Sequence, residues 1–212
     1  MSLITPHGAT SLTPLLATGQ RLAELEAESA RLPCITVSSA AAANAVMLGA
    51  GYFTPLKGYM NRSDALSVAT DLKTTDGLLW PVPVLNMVER FDGNLGDRIA
   101  LRDPNVDGGP VIAVMDVTGI ECLSDDDMAL MTREVFGTDD PNHPGVATFS
   151  SQGQILLSGP IEVLNYSYFQ SDFPGTFRTA MEIRDEIESR GWKRVVAFQT
   201  RNPMHRAHEE LC

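Results

Sequence analysis

The sequence is poor in cysteine, in basic residues and in long apolar runs. Its three cysteines, Cys34, Cys122 and Cys212, stand far apart, are odd in number and form no CxxC pair. That spacing excludes a disulfide framework and a zinc ribbon, and reads as three free thiols. No stretch approaches the roughly 18 uninterrupted apolar residues of a membrane span. The opening MSLITPHGATSLTP carries neither the basic nor the apolar region of a secretory leader. A cytoplasmic protein without membrane contact is the expectation. Lys and Arg number 16 against 27 Asp and Glu, a net charge of -11. Such a chain does not wrap a nucleic-acid backbone, because that affinity comes from cations neutralising phosphates.

What is present suits a globular chain. At 212 residues, with 43% hydrophobic and 20% charged residues, it can bury a substantial core. Leu22 and Leu25 among Ala, Glu and Arg predict a short amphipathic helix over 20–30, broken by Pro33. The alanine run 40–43 predicts a tightly packed helix over 39–48, closed by Gly49 and Gly51. Between 78 and 163 short β-branched runs at 80–85, 98–101, 111–115 and 155–157 alternate with Gly, Asn, Asp and Pro, which predicts a small mixed sheet or barrel of antiparallel strands. Pro81 and Pro83 place the first of these runs at an edge or a bend. Ser124 followed by Asp125, Asp126 and Asp127 reads as a capped helix start rather than a metal site, since consecutive carboxylates point around a helix instead of converging, and Gly137 ends that helix. His7 and His143 read as turn or surface residues. From Thr179 the pattern becomes a helix over 180–190 stopped by Gly191, then an apolar strand over 194–198, a turn and a second helix. That order opens an α/β unit with a parallel sheet. The expected division is therefore a β-rich domain over 1–170 and the beginning of an α/β domain over 171–212.

The densest polar cluster lies at FQTRNPMHRAHEELC, residues 198–212. Asn202 and Pro203 suit a helix cap and first position, which would put His205 and His208 on one face of the first turns. A strand end feeding a helix start offers free N–H groups to an anion. Gln199 and Arg201, one residue apart, suit a small tetrahedral oxyanion, the guanidinium giving charge and the amide a further donor. With Lys193, Arg194 and Arg206 nearby, this predicts one small basic pocket on an acidic body. The HxxH spacing by itself fits three readings. It suits a phosphate site, a solvated helix face, or two metal ligands lacking the Glu of the HExxH motif.

VVAFQTRNPMHRAHEEL closely resembles the signature of the ATP sulfurylase (sulfate adenylyltransferase) family. GYFTPLKGYM at 51–60, DGLLWPVPV at 76–84, RIALRD at 98–103 and VFGTDDPNHPGV at 135–146 resemble the N-terminal part of the same family in the same order. The resemblance implies a mixed fold, a PUA-like N-terminal domain followed by the start of a Rossmann-like α/β nucleotidyltransferase domain. It implies the reaction of ATP with sulfate to give adenosine 5'-phosphosulfate and pyrophosphate, with magnesium accompanying the nucleotide and no protein-bound metal in this segment. By the same resemblance Gln199 and Arg201 bind sulfate, Thr200, Arg201 and Asn202 form a catalytic triplet, and His205 and His208 hold the ATP phosphates and stabilise the transition state, all six residues contacting ATP. Complete members continue well past this motif and assemble as homo-oligomers, so the resemblance implies an N-terminal portion of a longer enzyme. Two other readings are a PUA-like RNA-binding module, against which the net charge of -11 counts, and an adenylyltransferase for organic phosphates, whose HxGH motif MHRAH does not match.

Overall fold

The computed structural model describes residues 3–200 and 203–211. Its first half runs helix α1 (Gly19–Ser29), strand β1 (Cys34–Thr36), α2 (Ser39–Gly49), β2 (Gly58–Tyr59), α3 (Arg62–Asp71), β3 (Met87–Val88) and β4 (Arg98–Arg102). There follow β5 (Val111–Asp116), β6 (Gly119–Cys122), α4 (Asp125–Phe136), α5 (Pro144–Ser150), β7 (Ile155–Val163), α6 (Phe169–Asp172), α7 (Ala180–Ser189) and α8 (Arg206–Glu209). No helix among the described residues is long and apolar enough to cross a membrane.

The helices form where periodicity and caps place them. Leu25 of α1 is fully buried and packs with Ala17 and Val114, a burial that contributes about 2 kcal/mol. The alanines of α2 let that helix lie close on the sheet: Ala41, Ala42 and Ala45 are fully buried, and a β-carbon on Gly49 would stand 2.8 Å from Val163. Ser38 Oγ caps α2 by accepting from the Ala41 N–H at 3.1 Å. In α4 the acidic triplet does what a helix start asks of it. Ser124 Oγ accepts from the Asp127 N–H at 3.2 Å while Asp127 Oδ2 accepts from the Ser124 N–H at 2.9 Å, and Gly137 ends the helix at φ 70°.

The sheet has the order β1-β4-β5-β7-β2, with β3 and β6 also paired to β7. Every pairing is antiparallel except β1 with β4. β7 is shared between two sets of neighbours. Its first residues pair with β3 (Leu156 opposite Met87) and β6 (Leu157 opposite Ile120), its last with β2 (Gly159 opposite Tyr59) and β5 (Ile161 opposite Met115). The changeover falls at Gly159, whose φ of 146° other residues rarely adopt and where a β-carbon would overlap the carbonyl oxygen of Asp116.

The run 80–85 does not form the expected strand; β3 lies at Met87–Val88 instead. Pro81 and Pro83 have no N–H to give a ladder. Trp80 is used as a packing residue, edge-on to Phe53 with ring centroids 5.6 Å apart, and its N–H donates to Leu72 O at 2.8 Å.

Two ion-pair groups tie helices to this frame. Arg98 donates to Glu28 at 2.6 Å, Asp116 at 2.6 Å and Glu162 at 2.5 Å, and Arg21 donates to Glu162 at 2.6 Å, which joins α1 to three strands. Arg62 grips both oxygens of Asp127 at 2.9 and 2.7 Å, joining α3 to α4. The Arg62 hydrogen bonds hold the Asp127 carboxyl down at about 2, and those from Arg21 and Arg98 hold Glu162 down at about 2.

Two outcomes follow from this packing. Gly159→Ala should lose about 3 kcal/mol or more in a urea melt, whereas Gly77→Ala, also at positive φ but in open space, should lose only about 1 kcal/mol. A smaller loss at 159 would contradict the account of the bend. Because the folded chain holds Asp127 and Glu162 below their ordinary range, their contribution is complete above about pH 4.5 and disappears as pH falls towards about 2. Asp127→Asn should therefore cost about 1–3 kcal/mol at pH 7, with the gap to the parent closing between pH 4 and pH 2 in melts at each pH. A gap that stays constant with pH would contradict it.

Candidate active site

The segment carrying the candidate site hangs from the sheet domain through one junction. Ala180 N–H donates to Ala50 O at 3.0 Å, and Tyr52 Oη donates to Arg178 O at 2.6 Å. Tyr166 and Phe177 pack with centroids 5.2 Å apart. Thr179 then caps α7 in a reciprocal pair with Glu182: Thr179 Oγ1 accepts from the Glu182 N–H at 3.2 Å, and Glu182 Oε2 accepts from the Thr179 N–H at 2.7 Å. α7 ends at Ser189, one residue before the expected 190, with Gly191 at φ 63° beyond it. The guanidinium of Arg190 lies 4.8 Å from the Trp192 ring.

Beyond α7 the structure departs from expectation in three ways. The apolar run 194–198 forms no strand, and Val196 is 82% exposed. A strand needs a neighbour to accept its ladder, and none of the described strands lies beside it. The last helix begins at Arg206, not at Pro203. His205 is its cap, held extended at φ -136° and ψ 171° while its N–H donates to His208 Nδ1 at 3.2 Å. With four residues α8 has little dipole to offer an anion, so the side chains and not the helix end must carry such contacts. Finally, Lys193, Arg194 and Arg206 are exposed, so among the described residues the expected basic pocket is an open basic segment.

Of the expected site residues, the fold brings His205 and His208 together, with ring centroids 4.0 Å apart. Because His208 Nδ1 accepts a backbone hydrogen bond, the neutral ring carries its proton on Nε2, a donor free for a ligand. Phe198 packs on the same ring at 5.6 Å. Gln199 is exposed and Thr200 is half-buried and partnered. Arg201 and Asn202 lie outside the described residues. Cys34 and Cys122 are free, exposed thiols, and Cys212 also lies outside the described residues. His7 Nε2 hydrogen-bonds Leu79 O at 2.7 Å, and His143 caps α5, accepting from the Val146 N–H at 3.4 Å. Among the described residues no group of three or more His, Cys, Asp or Glu gathers as metal ligands.

Sequence reading missed Phe198 as a support for His208, and Ala50 and Tyr52 as the anchor of the segment. The signal for the second was present in GYFTPLKGYM, whose Tyr52 reaches across 126 residues of chain. Phe198 is expected as the last residue of the strand over 194–198, which hides its role.

Residues 4–166 match the family of the PUA-like domain, and residues 175–212 match the ATP-sulfurylase family. The sulfate adenylyltransferase of Allochromatium vinosum is 60% identical over 212 residues, covering 99% of this chain and 53% of that protein. Those of Alcanivorax borkumensis and Thiobacillus denitrificans are 59% and 40% identical, covering 100% and 99% of this chain and 53% and 51% of theirs. A solved structure described as a hexameric APS kinase from Thiobacillus denitrificans superposes with a TM-score of 0.76 at 26% identity, over 100% of this chain and 36% of that one. The chain spans about half the length of the curated relatives it matches. Over residues 4–166 the chain belongs to the PUA-like domain family, and its residues 175–212 are similar to the ATP-sulfurylase family.

Proposed function

We propose that the protein acts in sulfate adenylylation, converting ATP and sulfate into adenosine 5'-phosphosulfate and pyrophosphate. The observation that carries this reading is the paired His205 and His208 rings, 4.0 Å apart, directly following Gln199 on the segment that matches the ATP-sulfurylase family. In this reading residues 1–170 form the PUA-like domain and 171–212 open the nucleotidyltransferase domain. The enzyme is a cytoplasmic homo-oligomer that takes ATP as its magnesium complex.

The chemistry needs no base. Sulfate is a dianion at neutral pH, so one of its oxygens attacks the α-phosphorus directly, the bond to the bridging oxygen breaks, and the electron pair leaves with pyrophosphate. The barrier is repulsion between anions and their alignment. Gln199 and Arg201 hold and screen sulfate, with Thr200 and Asn202 completing the loop that aligns it. His208, whose Nε2–H points away from its own backbone bond, and His205 donate to the phosphates where charge builds.

The test joins this chain to the second half of the Allochromatium vinosum relative and measures pyrophosphate release from MgATP. Release should require sulfate, and molybdate should substitute while yielding AMP, because its adduct hydrolyses. Turnover that ignores both anions would overturn the sulfate assignment. Arg201→Lys, which keeps charge but loses the planar fork, should lower kcat by about 100-fold or more. His208→Asn should lower kcat more than it raises KM for sulfate. Unchanged turnover in folded variants would remove those residues from the site.

A further inference from the structure

The sheet does not close on itself. Among the described strands β1 pairs only with β4 and β3 only with β7, so each keeps a free edge. A cleft of about 680 Å³ lies between those edges, lined by Ile35 and Thr36 on one wall and by Met87, Val88, Glu89 and Arg90 on the other.

The register decides which backbone groups face it. Ala100 N–H donates to Pro33 O at 2.8 Å and Val37 N–H donates to Arg102 O at 3.1 Å. Residues 33, 35 and 37 therefore bond β4, and the N–H and C=O groups of Cys34 and Thr36 point across the cleft. On the opposite wall Leu157 N–H donates to Asn86 O at 2.9 Å, which turns the backbone of Met87 away from β7. At one end the cleft runs into a concavity of about 590 Å³ bounded by Phe91, Asp92 and Asp97. At the other it meets an apolar cavity of about 410 Å³ walled by Met131, Phe136 and Phe149, with Met87 common to both.

The sign of the rim is acidic. Arg90 is tied to Asp92 at 2.8 Å, and Arg102, which donates to Gly109 O at 2.8 Å and to Cys34 Sγ at 3.4 Å, keeps its charge beside β1. Along the cleft the three carboxylates of Glu89, Asp92 and Asp97 outnumber the guanidiniums of Arg90 and Arg102, on a chain of net charge -11.

We propose that this cleft docks an extended peptide segment of another protein, an apolar side chain flanked by Lys or Arg, which adds as a strand along β1. The outward groups of Cys34 and Thr36 supply the ladder, as unpaired strand edges do. The 410 Å³ cavity seats the apolar side chain, and Glu89 and Asp97 select basic flanks. This assignment is independent of the adenylyl chemistry, which lies on the segment beyond α7.

The test titrates ¹⁵N-labelled protein with the peptide acetyl-Lys-Val-Phe-Val-Lys-amide. Saturable shifts should centre on the amides of Cys34, Thr36 and Met87. The Glu-flanked counterpart should bind at least about tenfold more weakly, and methylation of alternate peptide nitrogens should abolish binding. Thr36→Pro removes an outward N–H and none of the ladder to β4, so it should abolish binding with the melt unchanged. If that variant melts early, the N-methylated peptide still decides. Absence of saturable shifts at these amides, equal binding of the Glu-flanked peptide, or equal binding of the N-methylated peptide would overturn the proposal.

Discussion

Four of the six other described strands pair directly with β7, and β4 and β1 follow outward from β5. Nine residues long, β7 serves β3 and β6 with its first half and β2 and β5 with its second. A single straight strand cannot face two such sets of neighbours. Gly159, at φ 146°, lets the direction change while backbones stay in contact: a β-carbon on Gly58 would overlap the Gly159 carbonyl, and one on Gly159 the Asp116 carbonyl. From that bend follow the position of α2, whose Gly49 lies against Val163, and of the Ala50 carbonyl that holds the start of α7. The bend thereby sets where α7 begins, at the Ala180 N–H.

Charge is arranged to leave that segment distinct. On the sheet domain the arginines Arg21, Arg62 and Arg98 are consumed by carboxylates, which fixes helices and leaves an acidic exterior. The cations Lys193, Arg194 and Arg206 are instead exposed, on the same stretch of sequence as the two histidines. An acidic body with one basic segment attracts small anions to that segment and repels them elsewhere.

Elements with strong local grammar were legible in the sequence: the alanine-rich α2, the Ser124 capping box, the Thr179 cap and the glycine stops at 137 and 191. So was the pairing of His205 with His208, which needs only a spacing of three. The elements misread depend on partners that local sequence does not name. Trp80 to Leu85 has strand composition, yet Pro81 and Pro83 remove the donors and Trp80 is drawn into the core. The run 194–198 is apolar enough for a strand but has no described neighbour to pair with. The α8 start moved by three residues because a side chain, His208 Nδ1, takes the N–H of His205 and makes that residue the cap.

The central claim, that the loop around Gln199 and the histidine pair receive the two anions side by side, has a direct structural test. The chain extended with the second half of its Allochromatium vinosum relative would be crystallised with selenate, a tetrahedral dianion whose selenium scatters anomalously. The account predicts one ordered selenium peak with an oxygen at about 2.9 Å from the Gln199 amide nitrogen and the His205 and His208 rings on its pyrophosphate-facing side. A peak bound elsewhere, with Gln199 turned to solvent, would contradict it.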